Sequence, residues 1–77
     1  MSEILDLRQL NRVDRKPVLF QMLRGLKEGE SLTVYSNFEP INFYPDLEKR
    51  GYEFRAKKEE FMWVIHITKK SRADTAT

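Results

Sequence analysis

The sequence contains no cysteine, so neither a disulfide nor a thiolate can stabilise the fold or carry chemistry. It has a single histidine, and no apolar run approaches the ~20 residues that cross a bilayer. The first residues, MSEILDLR, lack the charged-then-apolar order of a signal peptide. We therefore expect a cytoplasmic protein with no membrane partner.

The net charge of the chain is also small. Fourteen Lys and Arg against twelve Asp and Glu leave a net charge of only +2, which does not by itself indicate a nucleic-acid partner. A chain of 77 residues with 40% hydrophobic residues can build one small core. We expect residues 1–70 to form a single domain, and residues 71–77, which have no large apolar side chain, to be a disordered tail.

Apolar and polar residues alternate in four segments, which predicts four strands over residues 3–7, 31–36, 52–57 and 61–68. The last segment is apolar on much of both faces, so we expect a central strand. Trp63, Ile65 and Ile67 share one of its faces, and we expect Trp63 to be largely buried.

Two other segments have helical spacing. One predicted helix covers residues 15–26, with Asp14 as N-cap, Pro17 in the first turn and an apolar stripe of Leu19, Met22, Leu23 and Leu26. The second covers residues 43–50, with Asn42 as N-cap and Gly51 just beyond the C-terminus.

The predicted order is therefore β-α-β-α-β-β, an α/β (α+β) two-layer sandwich. Because right-handed crossovers wound the same way place both helices on one side, a four-stranded mixed sheet should be covered on one face and open on the other.

Two candidate binding regions follow from this order. The loop and start of the first helix carry Arg8, Arg12, Arg15 and Lys16, which predicts a site for an anion or a partner, completed by the amides of residues 15–18; a solvated charged loop is the alternative. The loop after the second predicted strand offers a partner surface made of Asn37, Phe38, Glu39 and Pro40. Phe38, Phe43 and Tyr44 form either an exposed patch or part of the core.

No catalytic constellation is visible in the sequence. His66 has no cysteine or paired carboxylate near it in sequence and is typical of a surface residue, and Glu39 is either a solvated carboxylate or an acid or base. We therefore expect no enzyme activity, no metal site and no cofactor.

Several short motifs, taken in order, carry a resemblance to a known family. They are Leu5-Asp6-Leu7-Arg8-x-Leu10, a helix start around Pro17, Gly29-Glu30-Ser31-Leu32, Asn37-x-x-Pro40 and Tyr44-Pro45-x-Leu47-Glu48-x-Arg50-Gly51-Tyr52. With them the chain resembles the DUF2249 family over roughly residues 3–69. That family is similar in turn to sulfur carrier proteins of the TusA/SirA type, which implies a TusA-like fold.

The chain departs from these relatives at two functional positions. TusA-type carriers have Cys-Pro-x-Pro at the start of the first helix, whereas residues 11–17 here keep only the last proline, so a covalent persulfide is excluded. Many DUF2249 sequences have Asn-Asp-His-Asp-Pro after the second strand, where this chain has Ser36-Asn37-Phe38-Glu39-Pro40.

Three functions remain open. The first is a non-catalytic interaction or regulatory module that binds another protein or a small anion through its loop end or its open sheet face. The second is an accessory protein in redox or sulfur metabolism, as the resemblance implies. The third is a nucleic-acid binder that uses the basic loop with Lys57, Lys58, Lys69 and Lys70.

Overall fold

A computed structural model describes residues 3–70 of the chain, so the predicted tail at residues 71–77 lies outside the described residues. The elements are β1 (Glu3–Asp6), α1 (Arg12–Arg24), β2 (Ser31–Ser36), α2 (Tyr44–Lys49), β3 (Tyr52–Lys58) and β4 (Trp63–Lys69). Short 3-10 turns at Leu7–Gln9 and Ile41–Phe43 precede the two helices. The predicted element order is confirmed.

The strands form one mixed sheet in the order β1-β2-β4-β3. β1 is parallel to β2, and β4 is antiparallel to both of its neighbours, β2 and β3. β1, β2 and β3 therefore run in the same direction and end at one edge of the sheet, which we call the carboxyl edge. The predicted central position of β4 is confirmed.

Both helices pack on the same face of the sheet, as predicted. The cross-strand pairs Leu32–Ile67 and Val34–Ile65 supply the middle of this face. Alternation in the strands and the helical stripe of α1 bring these side chains together, so the apolar pattern of the sequence becomes one continuous core. Its buried members are Leu7, Leu19, Phe20, Leu23, Leu32, Val34, Leu47, Tyr52, Ile65 and Ile67.

In the second helix, Pro45 and Gly51 occupy the positions predicted for them. Pro45 lies in the first turn of α2, where its missing N–H has no intrahelical partner to lose. Gly51 follows the helix with φ 86°, a conformation that favours glycine and that ends many helices. Asn42 does not cap α2, because it lies within the preceding 3-10 turn and Phe43 takes the N-cap position.

The first predicted helix was placed too late. α1 begins at Arg12 with Asn11 as N-cap, so Asp14 lies inside the first turn. There its negative charge interacts favourably with the helix dipole. Pro17 is therefore an internal residue of α1 rather than a first-turn residue. It removes the N–H that would bond the carbonyl of Val13.

The predicted register of the last strand is confirmed, but Trp63 is more exposed than predicted and Phe61 lies outside the strand. Trp63 is only half-buried, because it is the first residue of β4 and contacts the rim of the core. Phe61 was assigned to the strand, whereas it lies in the β3–β4 turn, closed by the amide of Glu59 donating to the carbonyl of Met62 at 2.7 Å, and is 86% exposed.

The face opposite the helices is open and mostly polar. On it, the Thr33 hydroxyl and His66 Nδ1 lie 3.1 Å apart, and the Ser31 and Thr68 hydroxyls lie 2.8 Å apart. His66 is exposed, as predicted for a surface residue. Among residues 3–70, no helix has the length and apolar character that a bilayer crossing requires.

Candidate functional site

A groove of about 470 Å³ opens at the carboxyl edge, between the start of α1 and the loop that joins β2 to α2. We call it the carboxyl-edge groove. The loops that follow the neighbouring parallel strands β1 and β2 meet at this position. Its lining residues are Leu7, Arg12, Arg15, Lys16, Ser36, Phe38, Glu39, Pro40, Asn42 and Phe43.

Three of the four predicted basic residues line this groove. Arg12, Arg15 and Lys16 have i, i+3, i+4 spacing on α1, which places them on one face of the helix. Arg15 is half-buried, and its Nε donates to the carbonyl of Leu10 at 3.4 Å. Neither arginine has a carboxylate within 4.0 Å in the described part of the chain.

Lys16 is already occupied by an ion pair. Its Nζ lies 2.8 Å from Oδ2 of Asp46, and this pair joins the N-terminal half of α1 to the first turn of α2. The hydrogen bond from the ammonium lowers the pKa of Asp46 below its ordinary value. Lys16 therefore contributes positive charge to the groove wall, but a ligand would have to compete with Asp46 for hydrogen bonds from the Lys16 ammonium group.

Arg8 does not line the groove. Its guanidinium makes two 2.8 Å hydrogen bonds to the Asp6 carboxylate, which also accepts the Arg8 backbone N–H at 3.0 Å. The guanidinium lies 5.9 Å from the centre of the Tyr35 ring. These hydrogen bonds lower the pKa of Asp6 and raise the pKa of Arg8. The two residues therefore form a local ion pair at the end of β1.

The predicted partner surface at residues 37–40 supplies the opposite wall. Phe38, Glu39 and Pro40 line the groove, whereas Asn37 is exposed and does not. The buried Ser36 hydroxyl fixes the loop, because it donates to the carbonyl of Phe38 at 2.7 Å and accepts the Phe38 N–H at 3.4 Å. The Phe38 side chain, 55% exposed, is thereby presented at the groove by an ordered backbone.

The possible aromatic patch divides between surface and core. Phe38 is exposed, while Phe43 and Tyr44 are half-buried and pack against the core. The Phe43 ring meets the Phe20 ring edge-on at 6.3 Å, and the Tyr44 ring stacks on Phe54 at 4.3 Å. Phe43 therefore forms apolar floor in the groove rather than an exposed patch.

Of residues 3–70, Glu39 is the one acidic residue that lines the groove. Its Oε2 accepts a hydrogen bond from the Tyr44 hydroxyl at 3.0 Å. Burial of the phenol and this carboxylate raise the pKa of Tyr44 to about 12. Tyr44 therefore remains a protonated donor at neutral pH and holds Glu39 in place.

The amides that can take part differ from those predicted. Because α1 begins at Arg12, the N–H groups of residues 15–18 lie within the helix, where three of them bond intrahelical carbonyls and Pro17 has none. The Asp14 N–H bonds the carbonyl of Asn11 at 3.0 Å, and the Asn11 side chain makes no cap hydrogen bond. The N–H groups without an intrahelical partner are therefore those of Asn11, Arg12 and Val13.

Sequence reasoning missed three lining residues, Leu7, Ser36 and Asn42, and named Phe43 only as part of a possible aromatic patch. Only Ser36 carried a local signal, since a serine just before a loop commonly bonds the loop backbone. Across residues 3–70, no three His, Asp or Glu side chains come together in a way that could hold a metal ion. The groove thus combines guanidinium groups with an apolar floor, an arrangement suited to holding an anionic group next to an apolar one.

The comparison with protein families matches residues 4–69 to the family described as "Uncharacterized conserved protein (DUF2249)". Comparisons with curated proteins and with solved structures gave no match. The family match covers almost all of the described residues, including both walls of the carboxyl-edge groove. The chain belongs to the DUF2249 family.

Proposed function

We propose that this chain is a non-catalytic interaction or regulatory module that binds an anionic ligand, or an acidic segment of a partner protein, in the carboxyl-edge groove. The observation that carries the proposal is the convergence of two separate loop regions on one groove. Arg12 and Arg15 come from the first crossover, Phe38 and Pro40 come from the second, and all four line the same cavity.

The charges of the groove favour a weak anion site. Arg12 and Arg15 present two guanidinium groups, which suit carboxylate or phosphate oxygens better than ammonium groups do. Arg12 is exposed, so its contact with an anion should contribute no more than an ordinary surface ion pair, roughly 0.2–1 kcal/mol. Such a site needs a second source of affinity, which the apolar floor of the groove offers.

The proposed kinship with TusA-type carriers supports the same location. In those relatives the start of the first helix holds the reactive, anionic sulfur. This chain has no cysteine there, and instead has arginines at the start of α1. We propose that binding at this position is retained without sulfur transfer, and that the protein acts in the cytoplasm.

The open sheet face and nucleic acid have less support. A depression of about 410 Å³ along β3 is lined by charges of both signs, including Glu48, Glu53 and Arg55. Lys58 and Lys69 lie at opposite ends of the seven-residue strands β3 and β4, about 20 Å apart at the usual rise per residue. They do not form the continuous basic stripe that a nucleic-acid backbone requires.

A heteronuclear NMR titration with inorganic phosphate tests the proposed site. We expect the Arg12 and Val13 amides and the Arg15 Nε–H signal to move together, with an effect that falls as salt is added. Arg12→Ala combined with Arg15→Ala should abolish the phosphate-induced shifts of the residue 12 and 13 amides, which remain observable in that variant. The control is Arg24→Ala, which removes one exposed positive charge about 18 Å from Arg12 at the other end of α1. Shifts spread evenly over all basic residues would contradict the proposal.

A further inference from the structure

We infer that the ligand of the carboxyl-edge groove is a peptide segment in which a large apolar side chain is flanked by carboxylates, and not a simple inorganic anion. This inference rests on the proposed function and names the class of partner.

The floor of the groove requires an apolar group. Leu7 is buried and Phe43 is half-buried beneath it, and Phe38 and Pro40 form the wall opposite α1. A cavity of about 470 Å³ is in the range that holds an organic ligand or a side chain. A phosphate ion next to Arg12 would leave this apolar surface in water, whereas a phenylalanine or leucine side chain would bury it.

The charged wall requires anionic groups on the same ligand. Arg12 and Arg15 lie one helical turn apart, so their guanidinium groups can engage carboxylates on two residues of one segment. Lys16 adds a positive charge while it remains paired with Asp46. The charge on this wall is complementary to an acidic segment.

Glu39 distinguishes an extended segment from a compact anion. Its carboxylate accepts a hydrogen bond from the Tyr44 hydroxyl and lines the groove, where it repels an anion placed next to it. An extended segment avoids this repulsion, because it can direct its carboxylates to the α1 wall and its apolar side chain to the floor. Glu39 therefore favours a ligand whose charges lie to one side.

The exposure of Phe38 favours a peptide over a small molecule. Phe38 lines the groove and is still 55% exposed, so part of its apolar surface lies outside the cavity. A segment several residues long would cover more of this surface than a small molecule could.

The test compares three probes by heteronuclear NMR with the whole chain. The first is a synthetic peptide with one phenylalanine flanked on each side by two glutamates, the second is the same peptide with alanine in place of phenylalanine, and the third is inorganic phosphate. We expect the phenylalanine peptide to bind about ten-fold more tightly than the alanine peptide, because an aromatic side chain is buried. Both peptides should shift the signals of Arg12 and Arg15.

Variants separate the two contributions. Phe38→Ala should weaken only the phenylalanine peptide, whereas Arg12→Ala with Arg15→Ala should weaken both peptides and Arg24→Ala neither. Phe38 is exposed, so its truncation leaves the core intact, which circular dichroism would verify. Glu39→Gln should increase phosphate binding more than binding of the phenylalanine peptide.

The possible failures are distinguishable. Equal binding of all three probes at Arg12 and Arg15 would overturn this inference and leave the proposed function standing. The absence of groove shifts with every probe would overturn both. Capture of the protein by vesicles that contain phosphatidylserine, without competition from the phenylalanine peptide, would overturn this inference in favour of a membrane surface.

Discussion

Replacing Tyr52 with phenylalanine removes one buried hydrogen bond and leaves the ring in place. The Tyr52 hydroxyl donates to the carbonyl of Leu23 at 3.0 Å and joins the start of β3 to the end of α1. The same carbonyl also accepts the N–H of Leu26 at 3.1 Å, so it is not left without a donor. The loss should therefore lie in the lower part of the hydrogen-bond range, about 0.5–1 kcal/mol.

For a domain of this size, that loss corresponds to a melting temperature lower by about 2–8 °C. Urea unfolding followed by Trp63 fluorescence would measure the free energy of unfolding directly. Tyr35→Phe is the matched control, because Tyr35 is half-buried on the open face and a phenylalanine there keeps the ring beside Arg8. Equal effects of the two variants, or a loss above about 3 kcal/mol for Tyr52→Phe, would refute this argument.

Three further predictions concern the rim of the core and the titrating groups. Trp63→Ala should lower the free energy of unfolding, measured with urea, by about 2–3 kcal/mol. This loss is smaller than the ~3–5 kcal/mol expected for a fully buried aromatic residue, because Trp63 is half-buried. A change below about 1 kcal/mol would mean that Trp63 makes no core contact. The pKa values of Asp6 and Asp46 are lowered in the folded state, so the stability that their ion pairs give is present above about pH 4 and is lost as pH falls through the folded pKa values. Acid unfolding should therefore be less steep in Asp6→Asn and Asp46→Asn than in Asp14→Asn, and identical curves would contradict the two pairs. Tyr44 should ionise near pH 12 in an absorbance titration, and Glu39→Gln should move its pKa towards the ordinary value of 10.0; an unchanged titration would show that Glu39 does not contact the hydroxyl.

Much of the fold follows from local patterns in the sequence. The cross-strand pairs Leu32–Ile67 and Val34–Ile65 agree with the alternation of residues predicted for β2 and β4. Gly51 ends α2 because its φ of 86° is costly for other residues. These features depend on neighbouring residues, so a single sequence contains them.

The start of α1 shows where local reasoning fails. Asn11 and Asp14 are both residues that favour an N-cap, and Pro17 favoured the later start because proline is disfavoured inside a helix. In the structure, Asn11 is the N-cap and Pro17 is tolerated within α1. Because of the same error, the amides of residues 15–18 were predicted to complete the anion site, whereas the amides without an intrahelical partner are those of Asn11, Arg12 and Val13.

The carboxyl-edge groove could be predicted only in part. Arg12, Arg15 and Lys16 were identified by charge, and Phe38, Glu39 and Pro40 by their position after a strand. That the two sets face each other depends on the crossover geometry, which no local pattern encodes. The pairing of Lys16 with Asp46 is likewise tertiary, whereas that of Arg8 with Asp6 spans two residues and could have been read from the sequence.

The central claim is that the carboxyl-edge groove binds a ligand through both of its walls. The most direct measurement is a heteronuclear NMR titration of the whole chain with the phenylalanine peptide, which follows signals from Arg12 and Arg15 on one wall and from Phe38 on the other. We predict that these signals move together with one dissociation constant, and that Arg24, at the far end of α1, does not move. Movement of the arginine signals without Phe38 would contradict the two-walled site.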